Sequence, residues 1–140
     1  MLITEHKMEQ ASVEAFLRSA AAQVAANDFM IMNVENLNYS YTIGHTPAVP
    51  ELIISGFDTM LRMAVLGHLV GPFRERYPNR TIKYNGRNFA FRDVSEAKAR
   101  HLADKAFLFY RDTQDTVRLS QIVYPDFCGK FPWDKHVHPS

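Results

Sequence analysis

Between Met8 and Ala26 the residues Val13, Phe16, Leu17, Ala20 and Val24 recur at helical spacing in a segment otherwise rich in Ala, Glu, Gln and Arg. This spacing predicts an amphipathic helix that packs by one face. Asn27 and Asp28 stop it, and Phe29 to Val34 reads as an apolar strand. Glu35 to Asn38 tolerates turn conformations, and Tyr39 to Ile43 resumes an extended pattern closed by Gly44. The two prolines between His45 and Pro50 prevent full pairing there, whereas Glu51 to Ser55 suits a short buried strand.

From Phe57 to about Gly71, Leu61, Ala64, Val65, His68 and Leu69 fall at helical spacing behind Asp58 or Thr59 as amino-terminal cap. Gly71-Pro72 is expected to end or kink this helix, with Tyr77-Pro78-Asn79 as the exit turn. Asn85-Gly86 predicts a two-residue type I′ turn pairing Tyr84 with Arg87 and Ile82 with Phe89, which places Ile82, Tyr84, Phe89 and Phe91 on one face. Ser95 caps a third helix running to about Arg111, buried through Leu102, Ala103, Ala106, Phe109 and Tyr110. Val117 to Tyr124 is the last strand. The tail 125–140, with three prolines and a glycine, is expected to be irregular yet folded back to Asp134, because Phe127, Phe131 and Trp133 are costly to leave in water.

Hairpins without regular βαβ alternation predict an α+β domain: a mainly antiparallel or mixed sheet of about six strands covered by about three helices, in two or three layers. The 140 residues are one domain's worth, with no internal repeat. Sixteen Lys and Arg against fifteen Asp and Glu give a formal charge of +1, which argues against a nucleic-acid or anionic-membrane partner recruited by a whole-molecule field. The basic run Arg74, Arg76, Arg80, Lys83 and Arg87 reads as a solvated face. Cys128 is the only cysteine, so no intrachain disulfide or Cys-pair zinc site is available, and a reducing cytoplasm is expected. Met1 to Gln10 carries both signs of charge and no long apolar run, unlike a signal peptide or anchor.

Four segments carry a resemblance: Tyr39-Ser40-Tyr41-Thr42-Ile43-Gly44, Pro50-Glu51-Leu52-Ile53-Ile54-Ser55-Gly56, Gln121-Ile122-Val123-Tyr124-Pro125-Asp126, and Gly129-Lys130-Phe131-Pro132-Trp133-Asp134. In this order and at these separations they resemble the bacterial domain-of-unknown-function family 4262, over about 27–134. His45 stands where an apolar residue is more usual in that family, and Tyr124 where tryptophan is common. The resemblance implies no activity, since fold and family do not fix chemistry.

The motifs place Tyr41, Gly44, His45, Glu51, Gly56, Asp126, Trp133 and Asp134 near strand ends, where a ligand-binding site is expected. As chemistry, His45 with Glu51, Asp126 or Asp134 would supply a general base and its orienter, but no nucleophile elbow accompanies them. The plainer reading makes Glu51 and the two aspartates acceptors for backbone amides in proline-containing turns, and the glycines simple turn residues. His136 and His138 with Asp134 could approach a metal, yet tail histidines bind nothing specific as a rule, and no metal or other cofactor is expected. His68 reads as a satisfied or boundary histidine, His101 as surface and Cys128 as a packed thiol.

The leading functional expectation is a non-enzymatic binding module for a small polar ligand or a protein partner, with homodimerisation through an edge strand or aromatic patch as a further option. The alternatives are a small hydrolase using His45, and a phage or mobile-element protein that interferes with a host system.

Overall fold

The computed structural model describes residues 2–126 and 130–133, with side chains from residue 10 onward. Among the described residues six strands form one mixed sheet in the order β1-β2-β3-β6-β5-β4. They are β1 (Met30–Val34), β2 (Tyr39–Ile43), β3 (Glu51–Ser55), β4 (Thr81–Tyr84), β5 (Arg87–Asp93) and β6 (Leu119–Val123). Every neighbouring pair is antiparallel except β3 and β6, which run parallel with Glu51 beside Leu119. Among the described residues four α-helices accompany the sheet: α1 (Leu2–Asn27), α2 (Thr59–Arg76), α3 (Glu96–Leu102) and α4 (Asp104–Phe109).

The period-two alternation of the strands sorts the core into two layers. On one face Tyr39, Tyr41, Ile43, Ile53 and Leu119 pack with Ala20 of α1, Ala99 of α3 and Ala106 of α4. On the other, Leu52, Ile54, Ile82, Phe91 and Ile122 pack with Leu66, Leu69 and Phe73 of α2. The α+β expectation therefore resolves into three layers, helices on both faces of a mixed sheet.

Local chemistry explains several boundaries. Val13, Phe16, Leu17, Ala20 and Val24 are the positions between 10 and 27 withdrawn from solvent, the stripe that helical spacing selects. Asp58 caps α2 by accepting the Leu61 N–H at 2.8 Å, and Ser95 caps α3 by accepting the Lys98 N–H at 3.3 Å. Asn85 and Gly86 both have positive φ, 51° and 75°, and the hairpin pairs Tyr84 with Arg87 and Ile82 with Phe89 as predicted.

Three expectations are corrected. The second helix does not end at Gly71-Pro72 but continues to Arg76. Proline there forfeits one backbone bond at a cost of about 3 kcal/mol, which the burial of Leu69, Val70 and Phe73 against the sheet offsets. Its buried stripe is Arg62, Leu66, Leu69, Val70 and Phe73, while Leu61, Ala64 and His68 are exposed. The third helix is two, because Ala103 (φ −116°, ψ 44°) leaves helical geometry between α3 and α4.

Among the described residues no helix is long and apolar enough to cross a membrane. Lys130 to Trp133 returns to the body: Phe131 and Trp133 stack at 4.8 Å, and the Arg92 guanidinium lies 4.4 Å from the Trp133 ring.

Candidate functional site

The β2–β3 ladder ends at Tyr41 paired with Ile53, and side chains continue it. The Thr42 hydroxyl accepts the Leu52 N–H at 2.9 Å and donates to Glu51 Oε1 at 3.0 Å. The Glu51 carboxylate, itself fully buried, then accepts from the loop that leaves β2. The backbone N–H of His45 shares its two oxygens at 3.2 and 3.1 Å, and the N–H and hydroxyl of Thr46 reach Oε2 at 2.9 and 2.8 Å. The Gly44 N–H adds a longer contact at 3.4 Å. A carboxylate can be carried into a core when several donors replace its hydration, and here its own chain supplies them.

Gly44 is dictated by this path. Its φ is +130°, and a Cβ would lie 2.6 Å from the Asp28 carbonyl oxygen and 2.7 Å from the Phe29 Cα, both backbone atoms. His45 follows, 2% exposed. Its Nδ1–H donates to the Pro50 carbonyl at 2.9 Å, and its ring lies between Phe29 and Phe73 at 6.3 and 6.2 Å. Nε2 has no hydrogen-bond partner. Burial holds the imidazole below its ordinary range, against the raising influence of Glu51 and the Pro50 carbonyl, so the ring is neutral.

Tyr110, just past α4, joins this clamp to the surface. Its phenol adjoins the Glu51 carboxylate, the Gly44 amide and Thr46, and burial first, then the Glu51 charge, pushes its pKa upward. Tyr110 also lines a cleft of about 370 Å³ with Glu96, Arg100, Phe107, Arg111, Thr113, Asp115 and Thr116. Arg100 is ion-paired with Glu96 at 2.9 Å and lies 4.7 Å from the Phe107 ring. A second cleft of about 280 Å³ shares Glu96, Thr116 and Val117 with the first and extends along the start of β6 to Pro50, Tyr77 and Arg118. The two openings therefore adjoin at the sheet end where β3 and β6 begin.

The residues expected to form one site fall into separate groups. Gly44, His45 and Glu51 meet at the start of β3. Gly56 lies at its opposite end, where a Cβ would meet the Tyr124 hydroxyl at 2.9 Å, and Asp126 stands two residues beyond Tyr124. Asp126 closes its own loop: Oδ1 accepts the Lys130 N–H at 3.0 Å and its N–H donates to the Lys130 carbonyl at 2.8 Å. Trp133 sits over Arg92 of β5, two strands from β3. Tyr41 is fully buried, its hydroxyl accepting the Lys105 N–H at 3.3 Å, and burial raises its pKa. Cys128, Asp134, His136 and His138 lie outside the described residues. Among the described residues no cluster of three or more His, Cys, Asp and Glu could hold a metal ion.

Arg62 escaped sequence reasoning. It is fully buried, yet its guanidinium meets neutral acceptors: Ser40 Oγ at 2.9 Å, Phe57 O at 2.8 Å, Gly56 O at 3.2 Å and Thr59 Oγ1 at 3.1 Å. The signal was available, since extending the stripe of Phe73, Leu69 and Leu66 back by one turn lands on position 62. Helical spacing marks Tyr110 only as core, and Arg100, Arg111 and Thr113 belong to no motif.

A family model described as "Domain of unknown function (DUF4262)" matches residues 18–138, and the chain belongs to that family. No curated protein and no solved structure matches it.

Proposed function

We propose that this DUF4262 chain is a non-enzymatic binding module whose small polar ligand occupies the cleft beside Tyr110. The observation that carries the reading is the lining of that cleft: Glu96, Arg100, Arg111, Asp115 and Thr116 border about 370 Å³ beside Phe107 and Tyr110. Polar groups of both signs beside two aromatic rings suit a small polar ligand, and this volume is at the small end of the range for small-molecule sites. Charges of both signs favour a compact ligand bearing both signs, such as an amino-acid-sized zwitterion, over a polyanion.

The hydrolase alternative receives less support. A general base must reach a substrate proton with a free lone pair. Both Glu51 oxygens are occupied by donors from its own chain, and His45 is 2% exposed with its ring enclosed by Phe29 and Phe73. These contacts favour Gly44, His45 and Glu51 as the frame that fixes Tyr110, with binding at the cleft.

Calorimetric titration of the wild type and of the Arg100→Ala/Arg111→Ala double variant against free amino acids, dicarboxylates and diamines tests the reading. At least one zwitterion is expected to bind the wild type, with affinity reduced about tenfold or more in the double variant. Binding that the double variant leaves intact, or binding of none of the three classes at millimolar concentration, contradicts it.

A further inference from the structure

Among the described residues the sheet has two edges, β1 and β4, and they are not guarded alike. β4 is the shorter and carries Lys83 between Arg80 and Arg87, the kind of charge that keeps other strands away. β1 reads Met-Ile-Met-Asn-Val, with no charge, proline or glycine, and among the described residues no strand pairs with its outer side. On the sheet face where α1 packs, the helical residues leading into β1, 19–27, carry no charged side chain either. Such an edge is a template for a further antiparallel strand.

Helix α2 lies alongside this edge on the opposite face. The Asn33 side-chain amide meets Met63 Sδ at 3.5 Å, and the Arg74 guanidinium donates to the Asp28 carbonyl at 3.1 Å. The two runs are therefore antiparallel and level: Asp28 to Asn33 in extended chain and Arg74 back to Met63 in helix each cover about 17 Å. Met60 and Met63 stand on this side of α2, exposed at 82% and 42%, with the exposed Asp58 at its amino end and Arg74 at its carboxyl end. None of the ion pairs among the described residues includes Asp58 or Arg74.

We propose that β1 pairs antiparallel with β1 of a second copy of this chain, about a two-fold axis at Ile31–Met32, joining the two sheets into one. A second copy is selected because one operation answers both the edge and the helix beside it. The two-fold that reverses β1 reverses α2 as well, so Arg74 of each copy comes level with the exposed Asp58 of the other. Met60 and Met63 of both copies then cover the seam with adaptable apolar contact. Like charges do not meet, since the two Arg74 side chains lie at opposite ends of the seam. A strand from an unrelated protein would complete β1 but leave Arg74, Asp58 and both methionines unanswered. Neither β1 nor α2 lines the Tyr110 cleft, so this proposal stands or falls independently of the small ligand.

Sedimentation equilibrium of the full chain, with amide hydrogen exchange on the same samples, tests the proposal. A dimer with a micromolar or tighter dissociation constant is expected, and exchange of the outward amides of 30–34 should slow about tenfold or more as concentration rises through that constant. Met63→Glu, at an exposed position, buries a charge at the seam, and Arg74→Asp sets a carboxylate against Asp58. Each is expected to weaken the dimer about tenfold or more. Adding Asp58→Lys to Arg74→Asp restores opposite charges and should recover much of that loss. Circular dichroism of the variants should match the wild type. A chain that stays monomeric at about 100 μM, a dimer whose β1 amides exchange as fast as the monomer's, or a dimer that Met63→Glu and Arg74→Asp both leave intact overturns the proposal. The exchange measurement uses the wild type alone, so it decides the matter even where a variant fails to fold.

Discussion

Glu51 accepts both the backbone N–H and the hydroxyl of Thr46 on one oxygen, Oε2, at 2.9 and 2.8 Å. The first residue of β3 thereby fixes the loop that follows β2, and through Tyr110 it fixes one wall of the cleft. Replacing this carboxylate by an amide puts a donor where donors already point. Glu51→Gln is expected to lose about 3 kcal/mol of stability, the scale of hydrogen bonds to a buried charge, measured as a lower urea midpoint at unchanged slope. An unchanged midpoint would show that the loop holds without the clamp.

Gly44→Ala meets backbone atoms on two sides in a conformation that L residues rarely adopt. The strain alone costs about 1–3 kcal/mol, and the Asp28 carbonyl has no rotamer with which to yield. Thermal unfolding should fall by several degrees. Gly56→Ala, which meets only the end of the Tyr124 side chain, should fall less if both are measured together.

Arg62→Met keeps much of the volume and removes every donor. The carbonyls of Gly56 and Phe57 and the hydroxyl of Ser40 then lose their bonds to the guanidinium. A loss of about 3 kcal/mol or more is expected, and Arg62→Lys should recover only part of it, because an ammonium cannot span so many acceptors. Urea unfolding of the pair distinguishes this from a packing role, which Met would satisfy.

His45 makes stability depend on pH. Its folded pKa lies below the ordinary 6.5, so on acidification the unfolded chain takes up a proton before the folded one does. Stability is fully present above about pH 6.5 and falls below it by about 1.4 kcal/mol per pH unit, until the lowered folded pKa is passed. The difference between wild type and His45→Phe, followed by urea unfolding between neutral and mildly acidic pH, isolates this contribution from the other titrating groups. Parallel curves for the two proteins would contradict it.

Much of the fold was legible because its cues are local. The stripe of α1, the Asn85-Gly86 turn, the Asp58 and Ser95 caps and the short apolar runs of β1 to β3 each act within a few residues. The helix through Pro72 and the break at Ala103 were not, since each depends on what the sheet offers the helix after folding. At the site the motif residues do not come together as one group. Glu51 and Asp126 do hold backbone amides, but the parallel pairing of β3 with β6 sends them to opposite ends of the sheet. The cleft draws on Arg100, Arg111 and Thr113, whose proximity comes from the α3–α4 break and the turn after Tyr110, and no sequence spacing announces it.

Tyr110→Phe removes the hydroxyl that adjoins the Glu51 carboxylate and loosens the ring that lines the cleft. A modest loss of stability, about 1 kcal/mol, is expected, together with weaker ligand binding in calorimetry. A ligand that binds this variant and the wild type equally would place the contact elsewhere in the cleft.

A crystal structure grown in a mixture of free amino acids tests the central claim most directly. The account predicts density between Arg100, Arg111 and Tyr110, with the Glu51 carboxylate still closed by the amides of His45 and Thr46. Density against Glu51 or His45 with the 44–46 loop opened would contradict it, and so would an empty cleft.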